Sequence, residues 1–231
     1  MTQPQPMQPQ RRVIPPEDAE ERLNAFNMTV EMIHRIISVG DSARRRVMLP
    51  VYPSTYPGTV MWAETLAEWR RQLRKRSREY DIGRSRGYET VFSAERQVAF
   101  TVVAGDSLTG VDGARAPRLT RPKGVVTKER VDRNREAATG LVQLALIPEE
   151  GEKKPPADEL CDTWFLIVYA AKDEVRIELS LPVELDGDSI VSEYYERILL
   201  PPVPISGAII PMTPEDEGDD DGNGGSPLVS R

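Results

Sequence analysis

Apolar residues at Leu23, Phe26, Val30, Ile33 and Ile37 recur at spacings of 3, 4, 3 and 4, which draws one continuous stripe down an α-helix. Met28, Met32 and Ile36 widen the stripe, and Glu17, Asp18, Glu20 and Glu21 behind Pro15 and Pro16 suit the positive end of a helix dipole. The pattern predicts a helix from about Glu17 that Gly40 stops. The stripe fits a core-facing helix or, over 17–39, a homo-oligomer seam. Val51–Gly58 (VYPSTYPG) then reads as a connector. A second helix follows from about Thr59 to Tyr80, with Trp62, Leu66, Trp69, Leu73 and Tyr80 on one face and arginines on the other.

Past residue 90 the period shortens to that of strands. Val98–Ala104 (VAFTVVA) is rich in β-branched residues and predicts a strand. A long Gly-containing linker follows over 105–124, then a short helix over Val126–Ala138 and a strand over Leu141–Ile147. An acidic loop is expected over Glu149–Asp158. Thr163–Ala170 (TWFLIVYA) is apolar throughout, as in a strand covered on both sides. After a turn at Ala171–Glu174, Val175, Ile177, Leu179 and Leu181 alternate with Arg176, Glu178 and Ser180, which predicts a strand buried on one face only. Tyr194–Leu200 adds a further strand that the prolines at 201, 202 and 204 end. The expected fold is therefore α+β: two N-terminal amphipathic helices packed on a mostly antiparallel sheet of about four or five strands.

Composition confines the fold to the middle of the chain. Residues 1–16 are Gln/Pro-rich and 211–231 are acidic and Gly-rich, the composition of disordered tails. A single domain is expected over 17–210. One cysteine, Cys161, permits no intrachain disulfide. No apolar h-region follows a basic start, and the longest apolar run, Trp164–Ala171, is far short of the roughly 20 residues of a membrane span. These features lead to the expectation of a cytoplasmic protein without a membrane partner.

Charge is sorted by position. Residues 41–135 hold 20 Lys+Arg against 11 Asp+Glu, a net of +9, whereas 136–231 hold 6 against 21, a net of −15. Such asymmetry concerns what a surface meets. Arg44, Arg45 and Arg46 follow the first helix. Arg70, Arg71, Arg74, Lys75, Arg76 and Arg78 crowd the second. Arg115, Arg118, Arg121 and Lys123 punctuate the long loop. The planar fork of arginine suits phosphate and carboxylate, and Tyr80 and Tyr88 beside the second cluster would suit base stacking. The competing outcome is internal: carboxylates of the acidic half could neutralise the basic half, and Glu215–Asp221 of the C-terminal tail could lie on it.

Residues 102–110 (VVAGDSLTG), a strand running into Gly-Asp-Ser-Leu, resemble the first block of the GDSL (SGNH) hydrolases. The resemblance covers about nine residues and implies Ser107 as a nucleophile. That family carries its His and Asp near the C-terminus as DxxH, whereas the sole histidine here is His34, upstream in the first helix. A nucleophilic serine needs a base, so the hydrolase is the remote alternative. One Cys and one His exclude a single-chain zinc site of thiolates and imidazoles. Asp186-Gly187-Asp188 begins like a calcium loop but has Ile190 and Arg197 at its fifth and twelfth positions. Glu178, Asp186, Asp188, Glu193 and Glu196 read as a solvated acidic face, and no phosphate-binding glycine loop occurs. No cofactor is expected.

The sequence thus leads to a non-enzymatic accessory or adaptor protein in a multi-component bacterial or phage assembly. Its expected partner is a protein, held through the Arg-rich surface. The alternative is a nucleic-acid-binding protein that contacts phosphates through helix 59–80 and loop 105–124.

Overall fold

The computed structural model describes residues 11–113, 115–140 and 155–205. Among them are seven strands: β1 (Arg12–Ile14), β2 (Asp81–Gly83), β3 (Thr90–Ser93), β4 (Val98–Ala104), β5 (Asp162–Ala170), β6 (Glu174–Leu185) and β7 (Val191–Pro204). The helices are α1 (Ala19–Asn24), α2 (Val30–Arg46), α3 (Tyr56–Arg76) and α4 (Val125–Ala138). The strands form one mixed sheet in the order β1-β7-β6-β5-β4-β3-β2, parallel at β1/β7 and β4/β5 and antiparallel elsewhere. The α+β expectation holds at that level, with more strands than the four or five expected. The strand expected over 141–147 and the acidic C-terminal tail lie outside the described residues.

The first helix is not continuous. Asn27 sits at φ 56°, and the Thr29 hydroxyl accepts the Met32 amide at 3.2 Å, so a new helix is capped there. Glu20 accepts the Val30 amide at 2.7 Å and folds α1 back on that cap. The apolar stripe survives the break because Met28 itself is buried, its sulfur 3.2 Å from the Trp69 indole nitrogen. Gly40, expected as a stop, lies inside α2. A Cβ there would stand 2.0 Å from Thr65 Oγ1, so the missing side chain lets α2 and α3 close on each other.

α1, α2 and α3 cover one sheet face, where Phe26, Ile33, Leu66 and Trp69 join Phe100, Trp164, Leu166 and Ile198 in the main core. Phe26 meets Phe100 and Trp164 edge to face, with ring centroids at 5.4 and 5.0 Å. The stripe proposed as an oligomer seam over 17–39 is therefore spent inside the protein's own core. Trp62, expected on the core face of α3, is exposed instead.

α4 and the 105–124 loop cover the opposite face, over Phe165, Ile167, Leu119, Val131 and Tyr194. This second cover buries Glu178 and Ser180, so β6 is buried on both faces rather than one. β5, expected to be covered on both sides, is so covered.

Two further boundaries differ from the sequence pattern. β7 runs through Pro201 and Pro202 to Pro204 because the ladder is relaxed there on both edges: β1 pairs only as far as Ile198, and the register with β6 shifts between Val175 and Ile177, opposite the two prolines. At the other end, residues 12–14 of the expected N-terminal tail are strand β1. Ile14 is buried and Arg11 pairs with Glu193.

Candidate interaction surface

Helix α3 sorts its cations by direction. Arg70 turns inward with a side chain only 13% exposed. Its Nε and Nη2 donate to the Thr90 carbonyl at 3.0 and 2.8 Å, and Nη2 also donates to the Gly83 carbonyl at 3.2 Å and to Glu89 Oε2 at 2.6 Å. One guanidinium thereby ties α3 to the ends of β2 and β3. Arg71 is neutralised on its own helix by Glu68, with Glu64 at 4.0 Å. Arg74, Lys75, Arg76 and Arg78 are exposed, and none forms an ion pair with a described residue. Three of them occupy the last turn of α3, where a positive charge is favoured by the carbonyl end of the helix dipole.

The loop half of the predicted surface lies on the other face of the sheet. Arg118 pairs with Asp186. Lys123 is half-buried, and that burial together with neighbouring Arg121 pushes its ammonium pKa down. Arg115 and Arg121 are exposed. The structure therefore does not bring the helix and loop clusters together into one patch. Nor do the tyrosines offer stacking faces. Tyr80 is buried with its hydroxyl donating to the Phe26 carbonyl at 2.6 Å. The Tyr88 ring is covered by the Arg130 guanidinium at 4.6 Å, and burial pushes its hydroxyl pKa up to about 12.

Most remaining charges serve the fold. Arg197 lies against Glu178 at 2.6 Å, both essentially buried. Ser180 donates to Glu178 at 2.7 Å, the Gly110 amide donates to it at 2.9 Å, and Arg197 donates to the Val111 carbonyl at 3.2 Å. This network fastens the long loop to the sheet. Arg130 on α4 meets Asp158 at 2.8 Å, again with both side chains buried. Asn134 bridges the carbonyls of Thr163 and Pro182 at 2.9 and 2.8 Å and fixes α4 across β5 and β6. Of the expected acidic face, Glu178 is in the core, Asp186, Glu193 and Glu196 are paired with Arg118, Arg11 and Arg22, and Asp188 is exposed in the turn before β7.

The hydrolase constellation is not assembled. Ser107 is exposed in a turn, where Asp106 accepts the Leu108 and Arg118 amides at 3.0 and 3.2 Å. His34 stands on the helix side of the sheet, its Nε2 donating to the Pro201 carbonyl at 2.8 Å. The 105–124 loop covers the opposite side. Cys161 is buried, and burial raises its thiol pKa to about 11, far from a reactive thiolate. Among the described residues no three His, Cys, Asp or Glu side chains cluster to hold a metal ion, and no helix is long and apolar enough to cross a membrane.

The sequence pattern missed one surface feature. At the tip of the α2–α3 hairpin, Met48, Leu49, Val51, Tyr52 and Tyr56 are all exposed, Val51 at 83%. Residues 42–63 contain three arginines and no carboxylate, a signal that was present in the sequence. On the outer side of the hairpin, a groove runs between the helices. Near the tip it is lined by Val39, Val47, Tyr56 and Val60 and holds about 780 Å³. Toward the other end it is lined by Met32, Gln72, Lys75 and Arg76 and holds about 370 Å³. Arg35 lines both parts. No protein-family profile matches the chain, and neither a curated protein nor a solved structure matches it.

Proposed function

We propose that this chain is a non-enzymatic adaptor that docks an anionic protein surface on the end of α3, through Arg74, Lys75, Arg76 and Arg78. The observation that carries this reading is the division of the cations. Arg70, Arg71, Arg118, Arg130 and Arg197 are engaged by the protein's own carboxylates, whereas these four are exposed without one among the described residues. Exposed cations gathered on a rigid helix end steer and orient an anionic partner. Arg70 ties α3 to β2 and β3, and the loop cations lie on the far face of the sheet, so neither forms part of this proposed docking end.

The test is isolation of the tagged protein from its native host, with and without nuclease treatment, beside a variant carrying Arg74→Glu, Lys75→Glu and Arg78→Glu. The expected result is a defined protein partner that survives nuclease and is lost from the variant. A partner retained by the variant, or one that disappears with nuclease, overturns the reading. The second outcome would favour direct phosphate contact, for which affinity should fall steeply between ~50 and ~200 mM salt.

A further inference from the structure

The outer groove between α2 and α3 changes character along its length. Its tip end carries the apolar side chains Val39, Val47, Tyr56 and Val60 beside Ser38, Ser42, Arg46 and Glu64, and its far end presents Lys75 and Arg76 beside Glu31. Both parts follow the same helix faces: Tyr56, Val60 and Glu64 continue into Gln72, Lys75 and Arg76 on α3, and Arg35 joins them from α2. The carboxylates that face it are Glu31, Glu64 and Glu68. Glu68 is already balanced by Arg71 and, at 3.6 Å, by Arg35. An occupant of matching chemistry is a peptide with apolar residues first and acidic residues after.

This chain contains such a peptide. Beyond Ile205 the sequence reads SGAIIPMTPEDEGDDD over 206–221: Ala208, Ile209, Ile210 and Met212, then Glu215, Asp216, Glu217, Asp219, Asp220 and Asp221. Its point of departure is also suitable. Arg22 meets Glu196 and His34 meets Pro201, so the chain from α1 into α2 advances in the direction of β7. α2 continues from His34 to Arg46, about 18 Å at 1.5 Å per residue. The described chain ends on that same side, with the Ile205 amide on the Asp173 carbonyl at 2.9 Å. Extended, residues 205 to 212 reach about 23 Å, enough to pass around one helix to the groove's apolar end. From Val60 to Arg76 along α3 is about 24 Å, and Met212 to Asp219 covers about 23 Å extended.

We infer that residues 208–221 of this chain occupy the α2–α3 groove, with Ile209, Ile210 and Met212 at the apolar end and the acidic run against Lys75 and Arg76. The segment then competes with the anionic partner for the end of α3. That consequence rests on the proposed function; the seating itself does not.

The experiment uses the full-length protein alone with a zero-length carbodiimide, which condenses a lysine amine with a carboxylate, followed by peptide mass spectrometry. The expected product joins Lys75 to one of Glu215–Asp221. Its yield should exceed that at Lys128, on α4 across the sheet, by about tenfold, because both lysines share the tether and only seating in the groove holds the carboxylates at one of them. In a mixture of isotopically light and heavy protein the products should stay within one chain. Ile209→Ser with Ile210→Ser should lower the Lys75 yield several-fold. Equal yields at Lys75 and Lys128, products that join light to heavy chains, or a yield indifferent to the two serines would each overturn the inference. Because no partner is present, these results are independent of the docking test. If both proposals hold, removing residues from Pro211 onward raises partner affinity.

Discussion

Replacing Arg70 should damage the fold, and replacing Arg74, one helical turn later on α3, should not. Arg70 makes four hydrogen bonds, three of them to the carbonyls of Gly83 and Thr90, in a side chain 13% exposed. Both carbonyl-bearing residues are buried, so losing the donor leaves acceptors that water reaches poorly. Arg70→Met keeps the apolar stem and deletes only the fork. A charged hydrogen bond contributes about 1.5–3 kcal/mol when desolvated, and partial exposure discounts the sum to about 3 kcal/mol. Arg74→Met removes an exposed side chain with no ion pair among the described residues and should stay within about 0.5 kcal/mol. In urea, with a slope of about 2 kcal/mol/M for a domain of this size, the Arg70 variant should unfold about 1.5 M earlier than the parent. Trp69 and Trp164 are buried and give the fluorescence signal. A midpoint for Arg70→Met within about 0.3 M of the Arg74 variant would refute the division of cations into scaffold and surface.

Other predictions use the same denaturation assay. Glu178→Gln strands the buried Arg197 guanidinium and loosens Gly110, at a cost of about 3–5 kcal/mol, whereas replacing both partners by leucine should recover much of the loss. Gly40→Ala places a methyl against Thr65 Oγ1 and should cost about 1–3 kcal/mol, partly restored by Thr65→Ala. The Cys161 thiol, raised from 9.0 to about 11 in the fold, ionises more readily in the unfolded chain. Stability should therefore fall as pH rises from about 9 and level near 11, by about 2 kcal/mol, and Cys161→Ala should remove that part of the slope.

The elements with a strong period were legible in the sequence. β4 was expected over the residues it occupies, and the wholly apolar Thr163–Ala170 run correctly indicated a strand covered on both sides. α3 and α4 were placed to within a few residues. What failed was information that local pattern does not carry. Alternation in β6 suggested one wet face, but Glu178 and Ser180 are buried because Arg197 and a distant loop amide satisfy them. The break at Asn27 hid under an unbroken apolar stripe, since Met28 continues the core in a non-helical conformation. β1, β2 and β3 are three or four residues long, too short to show a period. At the candidate surface, charge asymmetry marks a basic segment but does not tell inward from outward. Arg70 and Arg74 share one helix and one side-chain type, and differ in whether backbone carbonyls and the Glu89 carboxylate lie within reach.

Arginine-selective modification with phenylglyoxal, mapped residue by residue in the native protein, tests the division of these cations most directly. Arg74 and Arg78 should react fast and become protected when the isolated partner is added, while Arg70, Arg130 and Arg197 stay unmodified until the chain unfolds. Arg70 reacting as fast as Arg74, or an added partner that leaves Arg74 and Arg78 equally reactive, would contradict the account.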